Sequence, residues 1–264
     1  MFWKLDRNIT AGTADWLGTT LLARWFAGGL LCLLSATSVF GEDADKSKDT
    51  GKGDKATTVV VADPDSRGGE AASVVQVANL IYAGTKTSEC FADHFLRRAE
   101  QDSAISTSRR LHSVKLGSEE IYNFPVLIMT GEGEFTLLAE ERDSLRRFVE
   151  RGGFLLASAG CSSPEWDRSF RKEMATIFAD RSMDDLPLEH LIFHTVYDIE
   201  SLQAKHGTPK PLSGIHFGTR LGVLYSQDGL NDTSNSQGCC CCGGNEITNA
   251  EEINVNILVY SLLQ

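Results

Sequence analysis

The chain has 264 residues, 42% of them apolar and 23% charged, a balance that suits one mid-sized globular domain with extensions. Its formal net charge is −11, which argues against non-specific nucleic-acid binding, because that needs Lys and Arg to neutralise phosphates. Seven cysteines are too few for a dense disulfide scaffold in a chain of this length.

The run Trp25–Gly41 carries no charge and follows Arg24. It is short for a membrane-spanning helix, and its length and small-residue end fit a secretory signal, with Val39 and Gly41 at the cleavage positions. Asp6 and Asp15 are unusual before such a run, so residues 1–41 are read as a signal peptide or an N-terminal membrane anchor. Cys32 follows Leu30 and Leu31, whereas lipidation wants a small residue there. The expected location is therefore exported, periplasmic or envelope-bound, with membrane contact only through this segment. Residues 42–72 are rich in Asp, Lys, Gly and Ser, with Val59–Val61 as the sole apolar cluster, and read as a flexible polar linker.

A folded domain is expected over residues 73–264. Val74–Tyr82 is closely apolar, as a strand covered on both faces is. Thr87 or Ser88 can cap a helix with Cys90, Phe91, Phe95 and Leu96 on its inner face, and Cys90 reads as a small core residue. Leu111–Leu116 predicts a short strand and Pro125–Thr130 a clear one. The spacing of Leu145, Phe148 and Val149 predicts a helix over Leu138–Arg151, stopped by Gly152 and Gly153. Phe154–Ala159 is the next strand, so this unit makes a right-handed parallel crossover. Ser162 and Glu165 stand at capping-box spacing, and Pro164 is allowed in a first turn, so a helix is expected over Ser163–Phe178. Strands follow at Ile215–Phe217 and Gly222–Tyr225. A polar, glycine-rich loop, residues 227–246, holds Cys239–Cys242, and Asn249 with Glu252 opens a last helix. The order predicts a three-layer α/β domain with a mostly parallel central sheet.

Sites in open parallel sheets form beyond the C-terminal strand ends. Two such ends are legible, Thr130–Phe135 (TGEGEF) and Ser158–Phe170. The first lacks the Lys and the glycine pattern of a phosphate loop, and Glu132 and Glu134 repel phosphate. The second places Cys161 just before a helix N-terminus, where a thiolate is favoured. A nucleophile needs a base and an orienting acid. His190, His194 and His216 are candidate bases, and Glu165 and Glu189 candidate acids, yet no local spacing demands catalysis. Cys161 reads first as a buried or turn cysteine, ahead of the nucleophile, with a disulfide or metal role behind both. His190 and His194 would share a face if helical, the spacing of two-histidine metal sites, but the H-E-x-x-H pattern is absent. Cys239–Cys242 is a poor zinc motif, because adjacent side chains diverge, so no metal or other cofactor is assigned. Asp167, Arg168 and Arg171 can hold an anion near the helix start or pair within the domain. Ligand contact is thus expected from Thr130, Gly131, Glu132, Gly133, Asp167, Arg168, Arg171 and Tyr197.

The order Tyr82–Gly84, FPVLIMTGEG, LRRFVERGGFLLAS, WDRSFRKEM, EHLIFHTVYDI and GVLYS resembles the bacterial domain-of-unknown-function 4159 family over residues 74–263. The resemblance implies a flavodoxin-like layer similar to class I glutamine amidotransferases. In that group a cysteine sits at a strand-to-helix elbow, where Cys161 falls. The chain lacks the G-x-C-x-G elbow and a downstream H-x-E pair, so the amidotransferase chemistry is not carried over. Three functions remain in view. The first is a non-catalytic binding or assembly module for a protein or small molecule. The second is a thiol hydrolase or amidase with Cys161 as nucleophile and His194 or His190 as base. The third is a metal-dependent hydrolase.

Overall fold

The computed structural model describes residues 74–84, 91–231 and 244–264. The expected signal or anchor, the linker, the caps at Thr87 or Ser88, Cys90 and Cys239–Cys242 lie outside the described residues. Seven strands form one sheet in the order β2-β1-β3-β4-β7-β6-β5. They are β1 (Val75–Ile81), β2 (Thr107–Lys115), β3 (Val126–Gly131), β4 (Phe154–Ala159), β5 (Asp184–Asp185), β6 (Ser213–Phe217) and β7 (Arg220–Ser226). The helices are α1 (His94–Asp102), α2 (Ala139–Glu150), α3 (Pro164–Ile177) and α4 (Ala250–Leu263).

The first five strands of the sheet order are mutually parallel, and β6 and β5 extend it antiparallel. The parallel part, 2-1-3-4 and a fifth strand, follows the flavodoxin-like order. Every residue of β3 and β4 is buried, which explains why both read as unbroken apolar runs. One core layer holds Phe95 and Leu96 of α1 and Ile253 and Ile257 of α4 against Val77, Ile128 and Leu224. The other holds Leu145 of α2 and Trp166 and Phe170 of α3 against Leu80, Met129 and Tyr225. Three layers result, and the crossovers leave in opposite directions from the β1/β3 boundary.

Local departures from the sequence reading have simple causes. The α1 helix begins at His94, so Phe91 precedes it while still packing into the core. Ser163 rather than Ser162 caps α3, because its hydroxyl accepts from Trp166 N. At α2 the Glu141 carboxylate accepts from Leu138 N, and Leu138 has no acceptor with which to complete the box. Residues 188–199 do not form a helix; a single 3-10 turn, Leu191–Phe193, is all that appears, so His190 and His194 do not share a helix face.

Gly131 is closely packed in the second layer. Trp166 Nε1 donates to Tyr82 Oη at 2.7 Å, and Tyr82 Oη donates to Thr130 O at 3.0 Å. Burial outweighs the Trp166 hydrogen bond and pushes the Tyr82 phenol up to about 12, so it stays protonated and able to donate. A Cβ on Gly131 would sit 2.3 Å from Tyr82 Oη and 3.0 Å from Trp166 Nε1. Gly131→Ala is therefore expected to lower unfolding stability by about 1–3 kcal/mol, as overpacking does. Denaturant unfolding measures it; a variant as stable as the parent would show that the Tyr82–Trp166 bridge yields freely.

Candidate functional site

Register places the last polar residues of three neighbouring strands in one row. Thr130 of β3 pairs with Ser158 of β4, and Ser158 with Ser226 of β7. All three are buried, on the face that packs against α4. Asn231 sits over them: Ser158 Oγ donates to its Oδ1 at 2.5 Å, and Thr130 Oγ1 donates more distantly at 3.4 Å. Leu230 N donates to Ser158 Oγ, and Asn254 Nδ2 of α4 donates to Leu230 O. Ser226 Oγ and Asn254 Oδ1 are enclosed without a hydrogen-bond partner among the described residues. This polar floor lies under the C-terminal strand ends, next to the reversal of strand order where such folds bind ligands. Its sequence signal was available: the apolar strands close on Thr130, Ser158 and Ser226, one hydroxyl each.

Above the floor stands the Cys161 turn. Cys161 and Ser162 both adopt left-handed backbone, with φ of 54° and 51°. Each such non-glycine residue costs about 1–3 kcal/mol, so surrounding contacts must hold the turn. Ser162 Oγ donates to Asp228 O and accepts from Asn245 N. Gly244 lies so close that a Cβ there would stand 2.5 Å from the Cys161 carbonyl carbon. Cys161 is disulfide-bonded, and every other cysteine of the chain lies outside the described residues. Its sulfur stands 3.0 Å from Glu132 Oε1. A thiol could donate across that gap; the disulfide sulfur carries no proton, so the contact is proximity alone.

The TGEGEF loop is held by its own neighbours. Gly133 N donates to Ser163 Oγ at 3.2 Å and Phe135 N to Ser169 Oγ at 3.1 Å. Ala83 N, from the end of β1, donates to Glu141 Oε2 at 3.1 Å. Two of the loop's backbone donors, at Gly133 and Phe135, are thus taken by serines at the start of and within α3.

Thr130, Gly131, Glu132, Gly133 and Cys161 come together at this rim. The other sequence candidates do not join them. Asp167 and Arg171 pair at 2.8 Å on the α3 side, where Tyr225 Oη donates to Asp167 at 2.7 Å and the Arg171 guanidinium lies over the Tyr225 ring. Arg168 is exposed and faces Glu165 at 3.5 Å. Tyr197 packs on the opposite face, bonded to Asp102 and Arg98 of α1 and to Asn256 of α4. His194 is held by Asp198 and by Leu188 O. The ring of His190 packs against His216 and Tyr260. His216 lies opposite Leu221, five residues before Ser226, so this pair is about 16 Å down the sheet from the hydroxyl row. The base roles considered for His190 and His194 would require them at Cys161, whereas His190 packs beside His216, away from the strand-end row. The two histidines are also engaged separately, and among the described residues no three His, Cys, Asp or Glu side chains converge as a metal site.

A family model, domain of unknown function (DUF4159), matches residues 76–262. The chain belongs to the DUF4159 family. No curated protein matches it. Family membership accounts for the whole layer described above, from β1 to the end of α4, and the family's description assigns no reaction to the rim.

The two histidines should titrate apart. Asp198 and the Leu188 carbonyl hold His194 above the ordinary histidine range, and burial with His216 nearby holds His190 below it. Because the folded value of His194 is raised, its pairing stabilises the fold fully below the unfolded value and loses that effect as pH rises through the folded one. Imidazole NMR titration is expected to order them His194 above His190, with Asp198→Asn bringing His194 down. The reverse order would contradict the assigned partners.

Proposed function

We propose that this DUF4159 domain is an exported or envelope-associated binding module that holds a protein or small-molecule partner at the strand-end rim without transforming it. The observation that carries the reading is the disulfide at Cys161. Structural disulfides persist in oxidising compartments, which supports export. A sulfur so bonded offers no thiolate, and thiolate is the form that attacks. Thiol hydrolysis would require reduction of that bond and a histidine freed from its present partners and brought to Cys161. Metal-dependent hydrolysis would require His190 and His194 to leave their present partners. The exposed part of the rim suits recognition: the carboxylates Glu132 and Glu134, with Leu138, 47% exposed, at the start of α2. The acidic balance favours a neutral or cationic partner over nucleic acid. Among the described residues no helix is long and apolar enough to cross a membrane.

Alkylation of the exported protein without reductant, followed by peptide mass spectrometry, tests the reading. Cys161 is expected to stay unlabelled, and Cys161→Ser to retain partner capture from an envelope extract. Quantitative labelling of Cys161 in the native protein, with hydrolysis of a thioester probe lost on labelling, would overturn it in favour of the thiol enzyme.

A further inference from the structure

Two histidines fasten the loop between β5 and β6 at its 3-10 turn, Leu191–Phe193, and they do so with opposite chemistry. Ile192 N donates to His190 Nδ1 at 3.2 Å, so this nitrogen must keep its lone pair. Protonation there removes the acceptor and sets one N–H against another. The His190 ring lies 5.8 Å from that of His216 of β6 and 5.6 Å from that of Tyr260 of α4. Burial holds the Tyr260 phenol above its ordinary value, so it stays neutral, and Arg220 is the charge beside it. A cation at His190 thus gains no negative partner from these two elements, and it meets a like charge once His216 is protonated.

His194 has the opposite need. Its Nδ1 faces Asp198 Oδ1, and its Nε2 stands 2.7 Å from Leu188 O. A carbonyl oxygen accepts and never donates, and the same holds for an ionised carboxylate. Both ring nitrogens therefore carry protons, which makes the ring a cation. Glu189 adds a second negative charge nearby. One neutral and one charged histidine, four residues apart, thus hold the same turn. Ile192 and Phe193 are buried beneath it, and Leu191 is 63% exposed on its outside.

We propose that His190 and His194 form a proton-balanced clasp on this loop, closed when the first is neutral and the second is charged, so that acid and alkali each loosen it. The closed loop disfavours the proton on His190. Its support is therefore complete above the ordinary histidine value and is lost as pH falls through the closed-loop value. The closed loop favours the proton on His194, so that support is complete below the ordinary value and is lost as pH rises through the closed-loop value. The two losses flank the ordinary value, about 6.5, where the loop is held tightest. The clasp does not rest on the binding role proposed for the strand-end rim.

Amide hydrogen exchange of the full chain, followed by NMR from about two pH units below the ordinary histidine value to about two above, tests the clasp. The Ile192, Phe193, His194 and Ile199 amides all donate within the loop. Their protection, relative to that of α2 amides, is expected to peak near the ordinary value and to fall about three- to tenfold on each side, as loss of one hydrogen bond does. Long-range imidazole spectra should show a bare Nδ1 on His190 and two protons on His194 at that optimum. His190→Asn keeps a capping acceptor that does not titrate, so it should abolish the acid fall and retain the protection. Asp198→Asn should move the alkaline fall to lower pH. Protection that ignores pH or falls on one side alone overturns the proposal. So does an acid fall that survives in His190→Asn, or an alkaline fall unmoved in Asp198→Asn. Should either variant fail to fold, the imidazole spectra of the parent decide: a proton on His190 Nδ1, or a neutral His194, at the optimum counts against the clasp.

Discussion

The whole molecule depends on burying both faces of β3 and β4. Their backbone groups pair in a parallel ladder, residue against residue from Val126–Phe154 to Gly131–Ala159. Their side chains then need an apolar layer above and another below. Parallel strands cannot be joined by a tight turn, so helices become the connections and the layers at once. The hand of the crossover assigns each helix to a face. Going to β2 puts α1 on one side, and going to β4 and β7 puts α2 and α3 on the other. The reversal of direction between β1 and β3 opens the crevice where the chain can meet a ligand. Among the described residues the β2–β3 connection over β1 shrinks to a single 3-10 turn.

Ion pairs are secondary to this arrangement but they set its details. The Arg142–Glu173 pair is bidentate, with a nearly enclosed carboxylate, and it locks α2 to α3. Glu141 gathers Leu138 N and Ala83 N, tying the start of α2 to the end of β1. These contacts stiffen the loops around the rim from behind. In front, the strained Cys161–Ser162 turn is held by Asp228, Asn245 and a disulfide. A rim clamped on both sides is suited to presenting a fixed surface, which agrees with a binding role more readily than with a moving catalytic loop.

The candidate site was legible in part. Thr130, Gly131, Glu132, Gly133 and Cys161 could be grouped from the sequence because each follows a strand whose apolar run is unmistakable, and adjacent parallel strands bring their ends together. His190, His194 and Tyr197 could not be placed. Their segment is a loop without periodicity, and its position depends on Asn256 and Arg98, which are far away in the chain. The hydroxyl row was written as three separate strand endings, and only register shows that they are neighbours. Asn231, the partner of Thr130 and Ser158, lies in a stretch with no pattern at all.

The sequence by itself determined which segments are strands and helices, that the sheet is mostly parallel, and that a strand-end rim exists. Those features follow from short-range periodicity, chain length and the fixed hand of crossovers, all of which act over tens of residues or fewer. Only the tertiary structure decided the state of Cys161, the faces on which the histidines and arginines lie, and the short β2–β3 connection. Each of these depends on which distant segments come into contact across the sheet, and spacing along the chain carries no information about that.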